Sequence, residues 1–347
     1  MVYLNAISYH MPSTALSNEQ LIAEYLPYKK KEDKTITAEE LFNQNWIKTR
    51  HQVALTDTAK DLGNRAAENL FEQWNIRKEE IQYLVFVSDA LDYKGPTTAC
   101  VMQNDLGLSK SIGAIDVLHG CTGFVYGLSL ISALIESGQI DNALLITADI
   151  PTKVIHPADI ELRAIFSDAG AATFLSKEKI KNGINAEVGK FVFGTDGSGE
   201  NALKVERSGS RNPADVKWLK QFEEVPHGNT GGKLYMKSSA IFLFALRTVP
   251  KLVKQILQKE GWNKEDIDFY VFHQANGQML DFIGKRMKLP KEKVIINIEN
   301  IGNTVSASIP IALYQEYKKN TFSAQQKALL AGFGIGLSWG ATTLKFT

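Results

Sequence analysis

The chain repeats itself once, and that internal repeat constrains its fold more than any single motif. Lys78-Glu-Glu-Ile-Gln-Tyr-Leu-Val-Phe86 is echoed by Lys264-Glu-Asp-Ile-Asp-Phe-Tyr-Val-Phe272. Ile115-Asp-Val-Leu-His-Gly-Cys-Thr122 is echoed, with one extra residue, by Ile296-Asn-Ile-Glu-Asn-Ile-Gly-Asn-Thr304. Asn142-Ala-Leu-Leu-Ile146 returns as Lys327-Ala-Leu-Leu-Ala331, and Gly170-Ala-Ala-Thr-Phe-Leu175 as Gly340-Ala-Thr-Thr-Leu-Lys345. Four echoes in one order mark a tandem duplication, in too few copies for a solenoid. Apolar runs that read as buried strands alternate with segments of helical periodicity. The expectation is an α/β chain of two halves, residues 1–183 and 184–347, with a cap or loop insertion at about 28–50.

Strands are predicted at 2–7, 81–87, 115–118, 143–147 and 170–175, then at 269–272, 294–298, 327–331 and 341–346. Helices are predicted at 58–71, 97–107 and 124–135, then at 238–260, 276–287 and 304–318. The Lys-rich interval Tyr28–Lys34 reads as a solvated loop. Residues 195–235, rich in Gly, Ser, Asn and Asp, read as loops with little regular structure.

The duplication puts Cys121 and Asn303 in equivalent places, each after a glycine and each opening a helix. If the halves pack about a pseudo-twofold axis, the two helix N-termini face one crevice, where α/β sheets bind ligands. A helix N-terminus carries partial positive charge, so Cys121 is expected to ionise more easily there. The bland alternative is a small thiol that only packs. His273 ends a third apolar strand, at the same kind of strand-to-helix junction. A Cys, a His and an Asn also make the nucleophile, base and orienter of papain-like proteases. The residues around Cys121 do not match that family's local signature, and two cysteines make no disulfide framework.

Several function classes drop out on composition. No apolar run is long enough to span a bilayer, and Met1–His10 lacks the pattern of a secretory signal. A net charge of +1 argues against a general nucleic-acid binder. A reducing cytoplasm is the default for a chain with two cysteines.

Gly120-Cys-Thr-Gly-Phe124, His273-Gln-Ala-Asn276, Gly302-Asn-Thr304 with Ala307-Ser-Ile-Pro310, and Gly332-Phe-Gly-Ile-Gly-Leu-Ser-Trp-Gly340 together resemble β-ketoacyl-acyl-carrier-protein synthase III, of the thiolase superfamily. Trp46-Ile47 with Arg50 and Phe166-Ser-Asp-Ala-Gly170 extend the resemblance over nearly the whole chain. It implies a thiolase-like fold of two βαβαβαββ halves stacked as layers, a homodimer, and a catalytic triad of Cys121, His273 and Asn303. It further implies an oxyanion hole from the N–H groups of Cys121 and Ile335. Acyl-coenzyme A or an acyl carrier would be the donor and malonyl carrier protein the acceptor, without metal or redox cofactor. Trp46, Arg50, Asn276, Gln278, Phe166 and Phe333 fall at substrate-contacting positions, with Trp46 and Arg50 flanking the adenine and phosphates of coenzyme A.

The chain departs from the family at several of these positions. Gln278 stands where an arginine is usual, Leu243 where a lysine is usual, and His51-Gln52 where Thr-Gly is usual. Arg247 is one helical turn past Leu243 on the same face. Gly95 replaces a bulky residue that reaches the partner's acyl pocket, which predicts room for acyl groups longer than acetyl. Arg247, Lys251 and Lys254, with Lys285 and Arg286, are expected to form a basic face for an acidic carrier protein. These departures leave open a specialised relative that condenses β-ketoacyl units or passes an acyl group to an alcohol or amine. A non-catalytic partner subunit is disfavoured, because all three triad residues are present.

Overall fold

The computed structural model describes residues 1–31, 34–205, 207, 209–213 and 234–347. Residues 214–233 of the loop-rich stretch, and Glu32 and Asp33 of the Lys-rich interval, lie outside the described residues. Up to Ser176 the chain runs β1 (Tyr3–His10), β2 (Thr14–Ser17), α1 (Asn18–Tyr25), α2 (Ala38–Asn45), β3 (Thr49–Gln52), α3 (Ala59–Trp74), β4 (Tyr83–Ser88), α4 (Thr98–Asp105), β5 (Gly113–Leu118), α5 (Gly123–Glu136), β6 (Asn142–Asp149), α6 (Ile160–Ile165) and β7 (Ala169–Ser176). It continues through β8 (Ala186–Thr195), β9 (Leu203–Val205), β10 (Leu234–Met236), α7 (Ser238–Glu260), β11 (Phe269–Phe272), α8 (Gly277–Arg286), α9 (Ser308–Lys318), β12 (Lys327–Gly334) and β13 (Ser338–Phe346).

The long sheet has the order β11-β12-β13-β8-β1-β7-β6-β4-β5. Outward from the β1–β8 seam the two wings match strand for strand, β1-β7-β6-β4 against β8-β13-β12-β11. The duplication is therefore a twofold relation of the fold. At the seam β1 and β8 pair only through Tyr3 with Glu187 and Leu4 with Ala186, which leaves the wings free to stack. Helix α5 packs on β4 and β6 of one wing and on β12 and β13 of the other; α9 packs on β1 and β7 and also on β11. Helix α3 covers the outside of the first wing, and α7 that of the second. The result is five layers, with α5 and α9 in the middle.

Sequence explains this packing locally. Helix α3 buries Ala59, Leu62, Gly63, Ala66, Ala67, Leu70 and Phe71, the three-and-four spacing of a one-sided helix, while α5 is apolar nearly all round. A Cβ on Gly123 or Gly127 of α5 would stand 2.4 Å from Val87 or 2.5 Å from Leu145. Those glycines let the central helix press against the sheet. Strands β6 and β7 are buried almost throughout, as strands covered on both faces must be.

One expected strand is nearly absent. Over 294–298 there is a single bridge, Tyr270 with Val294, supported by Ile295 N–H donating to Tyr270 O at 3.0 Å. The Gln274 side chain takes over the ladder's role. Its Nε2 donates to Phe272 O (2.7 Å) and Ile295 O (3.2 Å), and its Oε1 accepts from Asn297 N–H (2.9 Å).

Candidate active site

Strand β5 ends at Leu118, the chain turns at Gly120 (Gly123 N–H to Gly120 O, 2.8 Å), and α5 begins. Cys121 lies in that turn, buried, and lines a cavity of about 560 Å³. His273 follows β11, and its own N–H is held by Ala331 O at 2.9 Å. Asn303 lies on the loop before α9. All three line the one cavity, although 152 residues separate the first two (273 − 121).

The sulfur accepts a hydrogen bond from the backbone N–H of Ile335. Close approach is possible because residue 334 is glycine: a Cβ there would stand 2.6 Å from Cys121 Sγ. Asn303 is pinned on both sides of its peptide plane, its N–H to Ile165 O and its C=O from Ser167 N–H, both at 2.9 Å. Its Oδ1 accepts from Val305 N–H at 2.9 Å, so Nδ2, a donor, is the amide atom left for the cavity. The His273 ring stands edge-on to Phe333 at 5.7 Å, with Nδ1 2.7 Å from Ser308 Oγ.

Burial decides the electrostatics. It pushes the Cys121 thiol up to about 12, and the charges of Asp89 and Asp149 add to the effect. The N–H groups of Ile335 and Cys121 act the other way and do not prevail. The expectation that the helix terminus would ionise this cysteine is thus overturned: the resting group is a thiol. Burial also pushes His273 down to about 3, against a hydrogen bond with the Val305 backbone, so the imidazole is neutral at any working pH. Asp149 is held well above the usual carboxylate range by burial and by the adjacent Asp89. Its side-chain Oδ2 anchors the loop of Asn303, accepting from Ser306 N–H (2.9 Å) and from Ser306 Oγ.

Phe166, Phe333, Asn276 and Gln278 line the cavity. Asn276 and Gln278 donate to Gln44 O (3.3 Å) and Asn43 O (3.5 Å), which joins the start of α8 to the end of α2 at the cavity mouth. Trp46 caps α2 in the left-handed region (φ 63°) and packs on Gly277, beside the lining rather than in it. Arg50 is placed differently from expectation. It is 1% exposed, with its guanidinium donating to Leu16 O, Asn18 Oδ1 and Ala164 O, so it points into the protein instead of toward phosphates at the entrance. Gly95 is exposed with open space around it and is not part of the cavity wall of this chain. Arg247, Lys251 and Lys254 are exposed on α7, Lys285 and Arg286 on α8, and Lys285 also pairs with Asp281 at 2.6 Å. Leu243, at the cavity, begins the stripe that Arg247 and Lys251 continue at four-residue spacing.

Sequence reasoning missed much of the wall. Leu203 comes from β9, inside the stretch that reads as loop, Met236 ends β10 just past that stretch, and Ile241, Phe242 and Met279 read only as helix core. Ser308 stood in a quoted motif without a role. The wall is mostly apolar, as suits an acyl chain or the slim arm of a thioester carrier.

A buried thiol under a backbone donor, lining one mostly apolar cavity with a neutral imidazole and a carboxamide in a duplicated thiolase-like fold, is the architecture of a condensing acyltransferase. The chain belongs to the 3-oxoacyl-[acyl-carrier-protein] synthase III family. Models of that family match residues 115–197 and, for its C-terminal part, 257–346. The chain is 33% identical over 308 residues to the β-ketoacyl-[acyl-carrier-protein] synthase III of Clostridium perfringens, covering 87% of this chain and 91% of that protein. To the enzyme of that name from Chlamydia caviae it is 32% identical over 337 residues, covering 97% and 94%. A crystal structure of a 3-oxoacyl-(acyl-carrier-protein) synthase III superposes with TM-score 0.89 at 34% identity, over 99% of both chains. The 3-oxoacyl-(acyl-carrier-protein) synthase of Burkholderia xenovorans superposes with TM-score 0.84 at 30% identity, over 99% of this chain and 94% of that one.

Proposed function

We propose that the protein carries out the decarboxylating condensation of an acyl thioester with malonyl carrier protein, through an acyl group held on Cys121. The convergence of Cys121, His273 and Asn303 on one apolar cavity carries this reading. Cys121 sulfur attacks the donor carbonyl, the donor's thiol departs with the cysteine's proton, and a thioester remains on the enzyme. The N–H groups of Cys121 and Ile335 hold the oxygen that becomes negative in that step. The malonyl thioester then loses carbon dioxide to give an enolate, whose oxygen takes hydrogen bonds from His273 Nε2 and Asn303 Nδ2. The enolate carbon attacks the acyl-Cys121 carbonyl, the carbon–sulfur bond breaks, and a β-ketoacyl carrier protein leaves. The thiolate returned to Cys121 takes up one proton. No metal or redox group enters any step.

The halves 1–183 and 184–347 would then each supply part of one site. A homodimer is proposed through strand β5, an edge of the sheet whose Ile115 and Leu118 are 40% and 70% exposed. The basic stripe of α7 and α8 is proposed to dock the acidic carrier protein, and a cytoplasmic setting suits two free cysteines. Acyl groups longer than acetyl fit the volume of the cavity.

Intact-mass spectrometry after incubation with acyl-coenzyme A and acyl-carrier thioesters of rising length tests the reading. The expected result is one acyl adduct on Cys121, discharged as a β-ketoacyl product when malonyl carrier protein is added. Absence of any adduct overturns the reading, and a sharp optimum at acetyl overturns the chain-length part of it.

A further inference from the structure

A neutral imidazole has one N–H, and which nitrogen carries it decides whether His273 donates toward the cavity or away from it. The ring itself does not settle this; its surroundings do. Ser308 Oγ stands 2.7 Å from His273 Nδ1, and both residues are almost wholly enclosed. The same Oγ accepts from the backbone N–H of Gln274 at 3.3 Å. Gln274 takes one of the two acceptor positions of this Oγ, and among the described residues the serine proton meets no acceptor besides Nδ1, so the group is satisfied when it donates there. The imidazole hydrogen then sits on Nε2.

We propose that Ser308 is the positioning residue that holds His273 as its Nε2–H tautomer, so that the imidazole donates to the enolate formed in the second half-reaction. This rests on the condensing reading above and adds to it a residue that touches no substrate. Ser308 is also the first residue of α9, five positions past Asn303 on the same run of chain (308 − 303). The hydroxyl therefore ties the donor that follows β11 to the segment that carries the other donor. Both donors are wanted at the enolate, and neither is used in forming acyl-Cys121. Loss of the hydroxyl should consequently separate the two half-reactions. In Ser308→Ala nothing donates to Nδ1, the Nδ1–H tautomer becomes accessible, and Nε2 then offers a lone pair where the enolate requires a hydrogen.

The test has three arms. In the unaltered protein, ¹⁵N spectra of the imidazoles, with His273 assigned by comparison with His273→Gln, should show protonation at Nε2. Protonation at Nδ1 overturns the proposal whatever the variants do. In Ser308→Ala, acylation of Cys121 followed by mass spectrometry should stay within about twofold of the original, while carbon dioxide release from malonyl carrier protein falls about ten- to a hundredfold, on the scale of losing part of one preorganised donor. In Ser308→Thr, which keeps the hydroxyl, decarboxylation should return to within about threefold. Equal slowing of both half-reactions in the alanine variant, or no change in either, overturns the proposal. If the unaltered protein forms no acyl adduct, the condensing reading itself fails. If it forms the adduct and only the serine effect is missing, the reading stands and this inference falls.

Discussion

The turn that carries Cys121 and the loop that carries Asn303 hold equivalent addresses in the two halves, but they are built differently. Cys121 lies in the four-residue turn that leads from a full strand, β5, straight into α5. Asn303 follows a stretch with one strand bridge and precedes a short 3₁₀ turn, Val305–Ala307, before α9. Val305 has φ 52°, a left-handed conformation that costs a β-branched residue of order 1 kcal/mol and must be held by its surroundings. Part of that holding is Val305 N–H donating to Asn303 Oδ1, the bond that leaves Nδ2 for the cavity.

Cys121 and Asn303 are also each secured by the opposite half. The Cys121 sulfur is met by Ile335, past the end of β12, whereas Asn303 is held by Ile165 and Ser167 from the connection between α6 and β7. A duplicated fold thus gives two similar crevice walls, one carrying the thiol and the other the carboxamide.

The largest effect should separate the two walls. Cys121→Ala is expected to abolish the acyl adduct seen by mass spectrometry. Asn303→Ala should keep the adduct and lower the condensation rate on the order of 10²–10³-fold, as for loss of one oxyanion donor. An Asn303 variant that fails to acylate would erase the distinction. Next, Gly334→Ala probes the cross-half contact, since its Cβ would stand 2.6 Å from the sulfur. Acylation should fall on the order of 10²-fold, comparable to loss of an oxyanion donor; an unchanged acylation rate would show that β12 yields freely.

The pH dependence of Cys121 alkylation sets burial against the helix terminus. With the thiol pushed up to about 12, only the thiolate reacts and its fraction is small. The rate should climb about tenfold per pH unit from pH 7 to pH 10 without levelling. A plateau near neutrality would mean that the terminus prevails. For stability the sign is the same: a raised folded-state value means the buried thiol favours folding below the unfolded cysteine's range, and this contribution is lost as pH rises toward 12. The smallest effect concerns the outer surface of the second half. Arg247→Glu with Lys251→Glu should raise KM for the carrier protein about three- to tenfold at low salt, with kcat and acylation by acyl-coenzyme A unchanged. Equal KM values at low salt would move the carrier elsewhere.

Much of this molecule is legible from its letters, for a local reason. A strand announces itself by a short apolar run and a helix by its spacing, and repeated runs in repeated order imply repeated structure. The correspondence of the two wings and the strand-end positions of Cys121 and His273 follow from that grammar, whereas β8, one strand of the seam, is not among the expected strands. The strand expected at 294–298 failed because Gln274, a side chain twenty residues upstream of Val294 (294 − 274), took the hydrogen bonds a ladder would have made. Arg50 reads as a surface cation, but the acceptors that draw it inward, Leu16 O, Asn18 Oδ1 and Ala164 O, are spread over 148 positions (164 − 16).

By itself, then, the sequence determined the duplicated α/β plan, the family, Cys121 and His273 at strand ends, and Asn303 at the place in the second half that matches Cys121. Tertiary structure alone decided that the thiol rests protonated, that the imidazole is neutral, that the carboxamide shows its nitrogen, and that Leu203 and Met236 complete the wall. Periodicity is a property of neighbours along the chain, whereas desolvation and hydrogen-bond direction depend on groups that only folding brings together.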